Sequence, residues 1–124
     1  MRDDDRIVVT GLGGVTPIGN TVEDFWTSLA GGVSGVGPIT QFDPSAIAVK
    51  IAAEVKNFDL ANYFEKKDAN RLSRRAGRFT QLSLASCQQA LADSGFTVDD
   101  ASRWDIGTVI ATGGGGVNET SHET

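Results

Sequence analysis

The chain has 124 residues, of which 40% are hydrophobic and 22% charged, enough for one ordinary domain with a buried core and unlike a disordered chain. Its net charge of -5 argues against general attraction to nucleic acid or anionic lipid, and no apolar run approaches the roughly 18 residues that span a bilayer. A single cysteine excludes an internal disulfide and a cysteine-based metal site. The first residues lack the apolar core of a signal peptide, so we expect a cytoplasmic protein.

The first half of the chain predicts alternating strands and helices. Residues 7–10 form a β-branched run before glycines, which is typical of a buried strand. Residues 22–30 predict a helix that Asn20 or Thr21 caps and Gly31 ends. Residues 34–38 predict a loop, and the alternation over 49–55 predicts one strand of a hairpin.

The second half begins with a short turn that Asp59 caps, followed by a basic stretch. Residues 79–92 carry no charge and predict a long helix that Gly95 ends, packed on most sides against a neighbouring helix. The small residues of that packing face are Ser83, Ser86 and Ala90. Residues 106–112 predict a second buried strand, so the element order indicates an α/β fold with a mostly parallel sheet.

The basic stretch holds six of the 11 basic residues of the chain, between Lys66 and Arg78. Four of them would form one stripe if the whole stretch were helical, because they are spaced by four, three and four residues: Lys67, Arg71, Arg74 and Arg78. Such a stripe suits an acidic protein partner, although charged helix faces are often merely solvated. Nucleic acid is a poorer match because no aromatic residue interrupts the stripe.

Two glycine-rich segments and two reactive side chains are candidate sites. Residues 11–16 partly match a dinucleotide fingerprint, but Thr16 stands where its third glycine belongs. Residues 113–116 lack the Lys-Ser/Thr of a phosphate-binding loop. Cys87 lies mid-helix and is interpreted as a small buried hydrophobe rather than a nucleophile. The single histidine, His122, supports neither a metal site nor a catalytic triad.

In their order along the chain, these motifs resemble the elongating β-ketoacyl-[acyl-carrier-protein] synthases of the condensing-enzyme family. The matching segments are residues 7–20, 25–31, 34–39, 42–43, 53–59, 79–81, 90–95 and 107–116. Each segment alone is a weak match, whereas the ordered series is specific.

The resemblance implies the N-terminal part of a thiolase-like five-layered αβαβα fold with a mixed, mostly parallel sheet. Residues 1–124 would form the N-terminal portion of the synthase's N-terminal domain, truncated at the C-terminal end. The implied activity is that of a 3-oxoacyl-carrier-protein synthase, an acyltransferase that condenses an acyl thioester with malonyl carrier protein by decarboxylation. The cysteine and two histidines that the family uses fall after Gly116, so we expect no catalytic residue here and no activity of this segment alone.

The resemblance also implies binding residues and partners. The family's basic segment docks acyl carrier protein, and Lys67 and Arg71 match it best. Its glycine loop borders the acyl pocket, which corresponds to Gly113, Gly114 and Gly115, and Gly114 stands where a bulky aliphatic residue is common. The carrier's phosphopantetheine thioester is the substrate, so no cofactor and no metal are expected. The intact protein is expected to be a homodimer that binds neither nucleic acid nor membrane.

Two alternatives remain open from the sequence. One is a polyketide ketosynthase, or its catalytically inactive partner subunit, with the same fold. The other is a nucleotide-binding α/β module built on residues 11–16.

Overall fold

The computed structural model describes residues 6–115, and its first helix forms where the sequence predicts it. Helix α1 spans Val22–Ala30, and the Thr21 hydroxyl caps it by accepting a 3.1 Å hydrogen bond from Asp24 N–H. Acidic residues in the first turn interact favourably with the helix dipole, and Gly31 ends the helix. The bounds and the cap of the predicted helix are therefore confirmed.

A two-stranded antiparallel sheet follows α1. Strand β1, Val36–Pro38, pairs with strand β2, Ile51–Ala53, and places Gly37 opposite Ala52. The predicted strand over 49–55 is confirmed in its central residues, whereas the loop predicted over 34–38 is wrong. A three-residue run with glycine and proline carries no strand signal of its own, and only the pairing with β2 makes it a strand.

The two strands predicted over 7–10 and 106–112 do not form in this structure. Both segments lack assigned secondary structure, and their side chains are exposed, Ile7 completely and Val109 to 97%. A β-branched run becomes a strand only when a neighbouring strand satisfies its backbone N–H and C=O groups. Among residues 6–115 the only sheet is the antiparallel one, so the mostly parallel sheet predicted from the element order is not found there.

Three helical elements follow the sheet. The Asp59 carboxylate accepts a 2.9 Å hydrogen bond from Ala61 N–H and starts the 3-10 helix Leu60–Asn62, as predicted. Helix α2 spans Lys66–Arg75, and helix α3 spans Arg78–Ser94 and ends at Gly95 in the left-handed conformation. The predicted long helix and its glycine end are thus confirmed.

A glycine segment, and not a second helix, packs on the small-residue face of α3. A Cβ atom added to Gly13 would overlap the backbone of Ser86 and come within 2.7 Å of the Ala90 nitrogen. A Cβ atom on Gly11 would lie 2.7 Å from the Ser94 nitrogen. The glycines therefore allow the backbone to touch the helix, a role that also explains their partial match to a dinucleotide fingerprint.

Asn20 forms hydrogen bonds to several segments of the chain through both its side chain and its backbone. Its Nδ2 donates to the carbonyl oxygens of Lys56, at 2.9 Å, and Asn57, at 3.2 Å. The backbone carbonyl oxygen of Asn20 accepts hydrogen bonds from the Tyr63 hydroxyl, at 2.7 Å, and from Gln89 Nε2 on α3, at 3.1 Å. Asn20 thus joins the N-terminal turn to four other positions along the chain.

Little of the described chain is buried. The buried hydrophobic residues in this part are Leu60, Ala69 and Ala85. Helix α3 is consequently half-exposed along most of its length, and the prediction that it packs on most sides is wrong for residues 6–115. Within those residues, no helix combines the length and the apolar character needed to cross a membrane.

Candidate functional site

Helix α2 carries the basic residues that the sequence marks as a docking surface. It starts after Glu65, which makes no side-chain capping hydrogen bond, and it ends where Ala76 turns extended at φ -112° and ψ 130°. Ala76 N–H closes the last turn by donating a 2.9 Å hydrogen bond to the Leu72 carbonyl. Its partly exposed Leu72 and its buried Ala69 face inward, and the charged side chains extend into solvent.

The predicted pair Lys67 and Arg71 lies exposed on one face of α2. The same face carries Asn70, Arg74 and Arg75, and these five side chains line a shallow cavity of about 220 Å³. Their spacing of three, one, three and one residues is that of neighbours on a helix surface. We call this set of five residues the basic face.

Arg78 does not belong to the basic face, contrary to the predicted stripe. Because α2 ends at Arg75, Arg78 is the first residue of α3. Its guanidinium donates a 2.9 Å hydrogen bond to the Val55 carbonyl and lies 5.7 Å from the centre of the Phe58 ring. Arg78 therefore connects α3 to the segment after β2.

Sequence reasoning missed the acidic residue inside the basic stretch. The Asp68 carboxylate lies 3.0 Å from Arg71 Nη2, in an ion pair of spacing i, i+3. That spacing is visible in the sequence and was a sufficient signal for the pair. Asp68 is also the acidic residue of the first turn of α2, where its charge interacts favourably with the helix dipole.

The predicted acyl-pocket loop lies at the end of the described chain. Gly113, Gly114 and Gly115 are all exposed. Gly115 N–H donates a 2.9 Å hydrogen bond to the Thr112 hydroxyl, and a Cβ atom on Gly115 would come within 3.2 Å of a ring carbon of Phe79. The loop therefore meets the start of α3, and at Gly115 the close approach leaves little room for a side chain.

Cys87 is exposed, so the prediction that it is buried is wrong. It lines an open groove of about 630 Å³ with Thr10, Leu91 and Val109. Residues from both predicted strand segments, 7–10 and 106–112, thus line one groove beside α3. His122 lies outside the described residues. Within residues 6–115, no group of three or more His, Cys, Asp or Glu side chains is arranged to hold a metal ion.

Hydrogen bonding and burial perturb two side chains beside these elements. The pKa of Glu54 is lowered, chiefly because its carboxylate accepts a 2.6 Å hydrogen bond from the Thr40 hydroxyl. The pKa of Tyr63 is raised, first by desolvation and then by the charge of Asp24. Neither group belongs to the basic face or to the glycine loop. Both pKa shifts therefore arise from local packing and hydrogen bonding away from the candidate sites.

Comparison with known proteins identifies the family to which the chain belongs. The sequence model described as "Beta-ketoacyl synthase, N-terminal domain" matches residues 4–124. The protein named 3-oxoacyl-[acyl-carrier-protein] synthase 2 of Synechocystis sp. is 42% identical over 112 residues, which are 90% of this chain and 26% of that protein. The protein of the same name from Vibrio cholerae is 42% identical over 120 residues, which are 95% of this chain and 28% of that protein.

A solved structure, "The ishigamide ketosynthase/chain length factor", matches with a TM-score of 0.60 and 32% identity over 73% of this chain and 21% of that chain. The chain spans about a quarter of the length of the curated relatives it matches. The match nevertheless extends over nearly every residue of this sequence, and the chain therefore belongs to the β-ketoacyl synthase family, whose N-terminal domain it matches.

Proposed function

We propose that the intact protein is a 3-oxoacyl-[acyl-carrier-protein] synthase that elongates fatty acyl chains. The observation that carries the proposal is the 42% identity to two synthases of that name over 90% or more of this chain. Identity at this level over nearly the whole of this chain supports a shared reaction more strongly than a shared fold does, since one fold serves many functions.

In the proposed reaction, a cysteine thiolate outside this segment attacks an acyl thioester and releases the thiol of the carrier protein. Malonyl carrier protein then loses carbon dioxide, and the electron pair left on its α-carbon attacks the enzyme-bound thioester. A carbon–carbon bond forms, the cysteine thiolate leaves, and the product is a 3-oxoacyl carrier protein. The phosphopantetheine thioester of the carrier is thus the substrate, and the reaction needs no further cofactor.

This segment contributes scaffold and binding surface to that reaction. Cys87 lies in the middle of α3, away from either helix end, and so lacks the helix N-terminus that commonly stabilises a catalytic thiolate. An active site of this kind requires a nucleophile, a donor for the thioester oxygen and a polarising imidazole in one place. We therefore assign no catalytic residue to residues 1–124.

Carrier-protein docking is assigned to Lys67 and Arg71. Both are exposed on the basic face of an otherwise acidic chain, so an acidic partner finds complementary charge there. The glycine loop Gly113–Gly115 is assigned to the border of the acyl pocket. Its support is the resemblance to the family together with the close approach of Gly115 to Phe79 at the start of α3.

The proposal extends to the architecture of the intact protein. Its sheet would belong to a five-layered thiolase-like fold, in which the segments 7–10 and 106–112 become strands. Thr10 and residues 106–109 line the same groove beside α3, which supports this arrangement. A cytoplasmic homodimer is part of the same proposal and rests on the family resemblance.

A second candidate is a polyketide ketosynthase or the inactive subunit that accompanies one. The structural match to a ketosynthase/chain length factor favours it, at 32% identity and a TM-score of 0.60. The two candidates differ in whether the full-length protein condenses by itself, because a subunit without a nucleophile cannot accept the acyl group.

The test is an assay of the full-length protein with acyl carrier protein bearing a saturated chain and with malonyl carrier protein. We expect a 3-oxoacyl carrier protein, detected by mass spectrometry, and one carbon dioxide released for each condensation. The isolated 124-residue polypeptide serves as the control and should give neither product. A full-length protein that is inactive alone but active with a second ketosynthase subunit would establish the second candidate instead.

A further inference from the structure

Helix α2 is strongly positive although the chain as a whole has a negative net charge. The helix holds five basic residues and one acidic residue, a net charge of 5 - 1 = +4. The whole chain has 11 basic and 16 acidic residues, so the remainder carries 6 - 15 = -9. An acidic partner is therefore attracted by α2 and repelled by the rest of the chain. Each charge on α2 accordingly affects the rate at which such a partner associates.

Asp68 is the single acidic side chain of α2, and it lies against the basic face. Its carboxylate is 3.0 Å from Arg71 Nη2. The Asp68 side chain is 47% exposed and that of Arg71 is 65% exposed. Exposed ion pairs of this kind are weak, so loss of the Asp68 charge should change partner binding only by a small factor.

We propose that Asp68 limits the binding of an acidic carrier protein to the basic face. It occupies the guanidinium of Arg71, a group able to bind a carboxylate through two parallel hydrogen bonds, and it cancels one of the five positive charges of the helix. Removal of its charge frees Arg71 for the partner and strengthens the local positive potential. This inference rests on the proposed function for the identity of the partner, whereas the contact between Asp68 and Arg71 is independent of it.

The structure also defines which arginines take part. Arg74 and Arg75 share the cavity with Lys67 and Arg71 and contribute to the attraction. Arg78 is held by the Val55 carbonyl and the Phe58 ring. The basic face, on which Asp68 acts, therefore ends at Arg75, the last residue of α2.

The experiment measures the association rate constant of the full-length protein with acyl carrier protein at several salt concentrations. We expect Asp68→Asn to raise it by about two- to fivefold at low salt, and the difference to vanish at high salt, where exposed charges are screened. The control is Asp100→Asn, which removes the same charge from an i, i+3 pair with Arg103 at 3.2 Å, outside α2. It should change the rate by less than about a third of that amount.

Two further variants separate charge from structure. Asp68→Glu keeps the negative charge in the first turn of α2 and should bind at the wild-type rate. In an Arg71→Gln background the gain from Asp68→Asn should shrink by about half, because part of it acts through Arg71. If Asp68 affected only helix stability, Asp68→Asn would not change the salt dependence of the association rate. Its gain would then be as large in the Arg71→Gln background as in the wild-type background.

Equal effects of Asp68→Asn and Asp100→Asn, or a lower rate for Asp68→Asn, would overturn the inference. Its failure is distinguishable from failure of the proposed function. A protein that forms 3-oxoacyl product but whose Asp68→Asn variant associates at the wild-type rate refutes the inference alone. A protein that shows the expected order of association rates but forms no product refutes the proposed function alone, and one that does not bind the carrier refutes both.

Discussion

Arg78 shows how one side chain can change its role when a helix ends three residues earlier than a charge pattern suggests. Its guanidinium bonds to the Val55 carbonyl and lies over the Phe58 ring, so it fastens α3 to the segment after β2. A charged hydrogen bond and a cation–π contact are together worth about 1–3 kcal/mol. This residue is therefore expected to affect stability more than partner binding.

We expect Arg78→Ala to lower the free energy of unfolding of the full-length protein by about 1–3 kcal/mol, measured by denaturant titration. Its association with carrier protein should stay within about twofold of wild type. The matched control is Arg75→Ala, the removal of an exposed arginine from the end of α2, which should change stability by less than about 0.5 kcal/mol. The assignment is wrong if Arg75→Ala is the more destabilising of the two.

Gly13 is the residue on which the close approach of the N-terminal segment to α3 depends. A Cβ atom there would overlap the Ser86 carbonyl group, a backbone group that the helix holds in place. Gly13→Ala should therefore cost about 1–3 kcal/mol of unfolding free energy in the full-length protein, the usual cost of overpacking. Gly14→Ala, where the nearest atom to the added Cβ is Val22 Cγ2 at 4.0 Å, is the control and should be nearly neutral. Equal melting temperatures for the two variants would contradict the packing.

At the scale of elements, local signals predicted the helices and long-range pairing decided the sheet. The ends of α1, of the 3-10 helix and of α3 are set by Thr21, Asp59 and Gly95, each of which acts within a few residues of its own position. Strand β1 depends on partner residues 13 to 17 positions away, and no local pattern marks it. The segments 7–10 and 106–112 have the residue pattern of strands but no neighbouring strand to pair with. The sequence pattern therefore predicted more strands than the structure contains among residues 6–115.

The basic face shows the same division between local and non-local information. The exposure of Lys67 and Arg71 on one helical face followed from their spacing. The break between α2 and α3 did not, because Ala76 and Gly77 interrupt the helix without a proline and without a change of charge. Gly77 was the available signal, since glycine is unfavourable in a helix interior by roughly 1 kcal/mol relative to alanine.

Glu54, directly after β2, fixes the segment that follows β1 and gives this pair of elements a pH dependence. Its carboxylate accepts hydrogen bonds from the Thr40 hydroxyl, at 2.6 Å, and from the N–H groups of Thr40 and Gln41, at 3.0 and 3.1 Å. These bonds hold the pKa of Glu54 below its ordinary value of 4.5. A carboxylate whose pKa is lower in the folded state stabilises the fold above its unfolded pKa, and this stabilisation is lost as the pH falls through the folded pKa.

We therefore expect the stability difference between wild type and Glu54→Gln to be full above pH 4.5 and to diminish below it. The measurement is denaturant unfolding of both full-length proteins between about pH 3 and 7. Glu65→Gln is the control, because the Glu65 side chain makes no capping hydrogen bond at the start of α2, and it should show no such trend. A difference between wild type and Glu54→Gln that is constant over this range would refute the coupling.

At the scale of the whole molecule, the described residues expose many large apolar side chains and bury few. The exposed side chains include Ile7, completely, Val109 at 97% and Trp104 at 81%, while the buried hydrophobic residues among residues 6–115 are only Leu60, Ala69 and Ala85. Large contiguous apolar patches on soluble proteins usually mark surfaces that another part of a protein covers. The relatives are about three and a half times as long as this chain, so further polypeptide is available in them to cover such surfaces.

The isolated 124-residue polypeptide should therefore not behave as a well-folded monomer. Segments 7–10 and 106–112 belong to no sheet in this structure, so their backbone groups are open to pairing with other chains, which promotes association. We expect broad, non-cooperative thermal unfolding by circular dichroism, strong binding of a hydrophobic dye, and species larger than a monomer in sedimentation velocity. The full-length protein is the matched control and should unfold cooperatively with little dye binding. A monodisperse monomer of the isolated polypeptide with a sharp transition would mean that residues 1–124 bury their apolar surface without help from other segments, and that the open groove along α3 closes in solution.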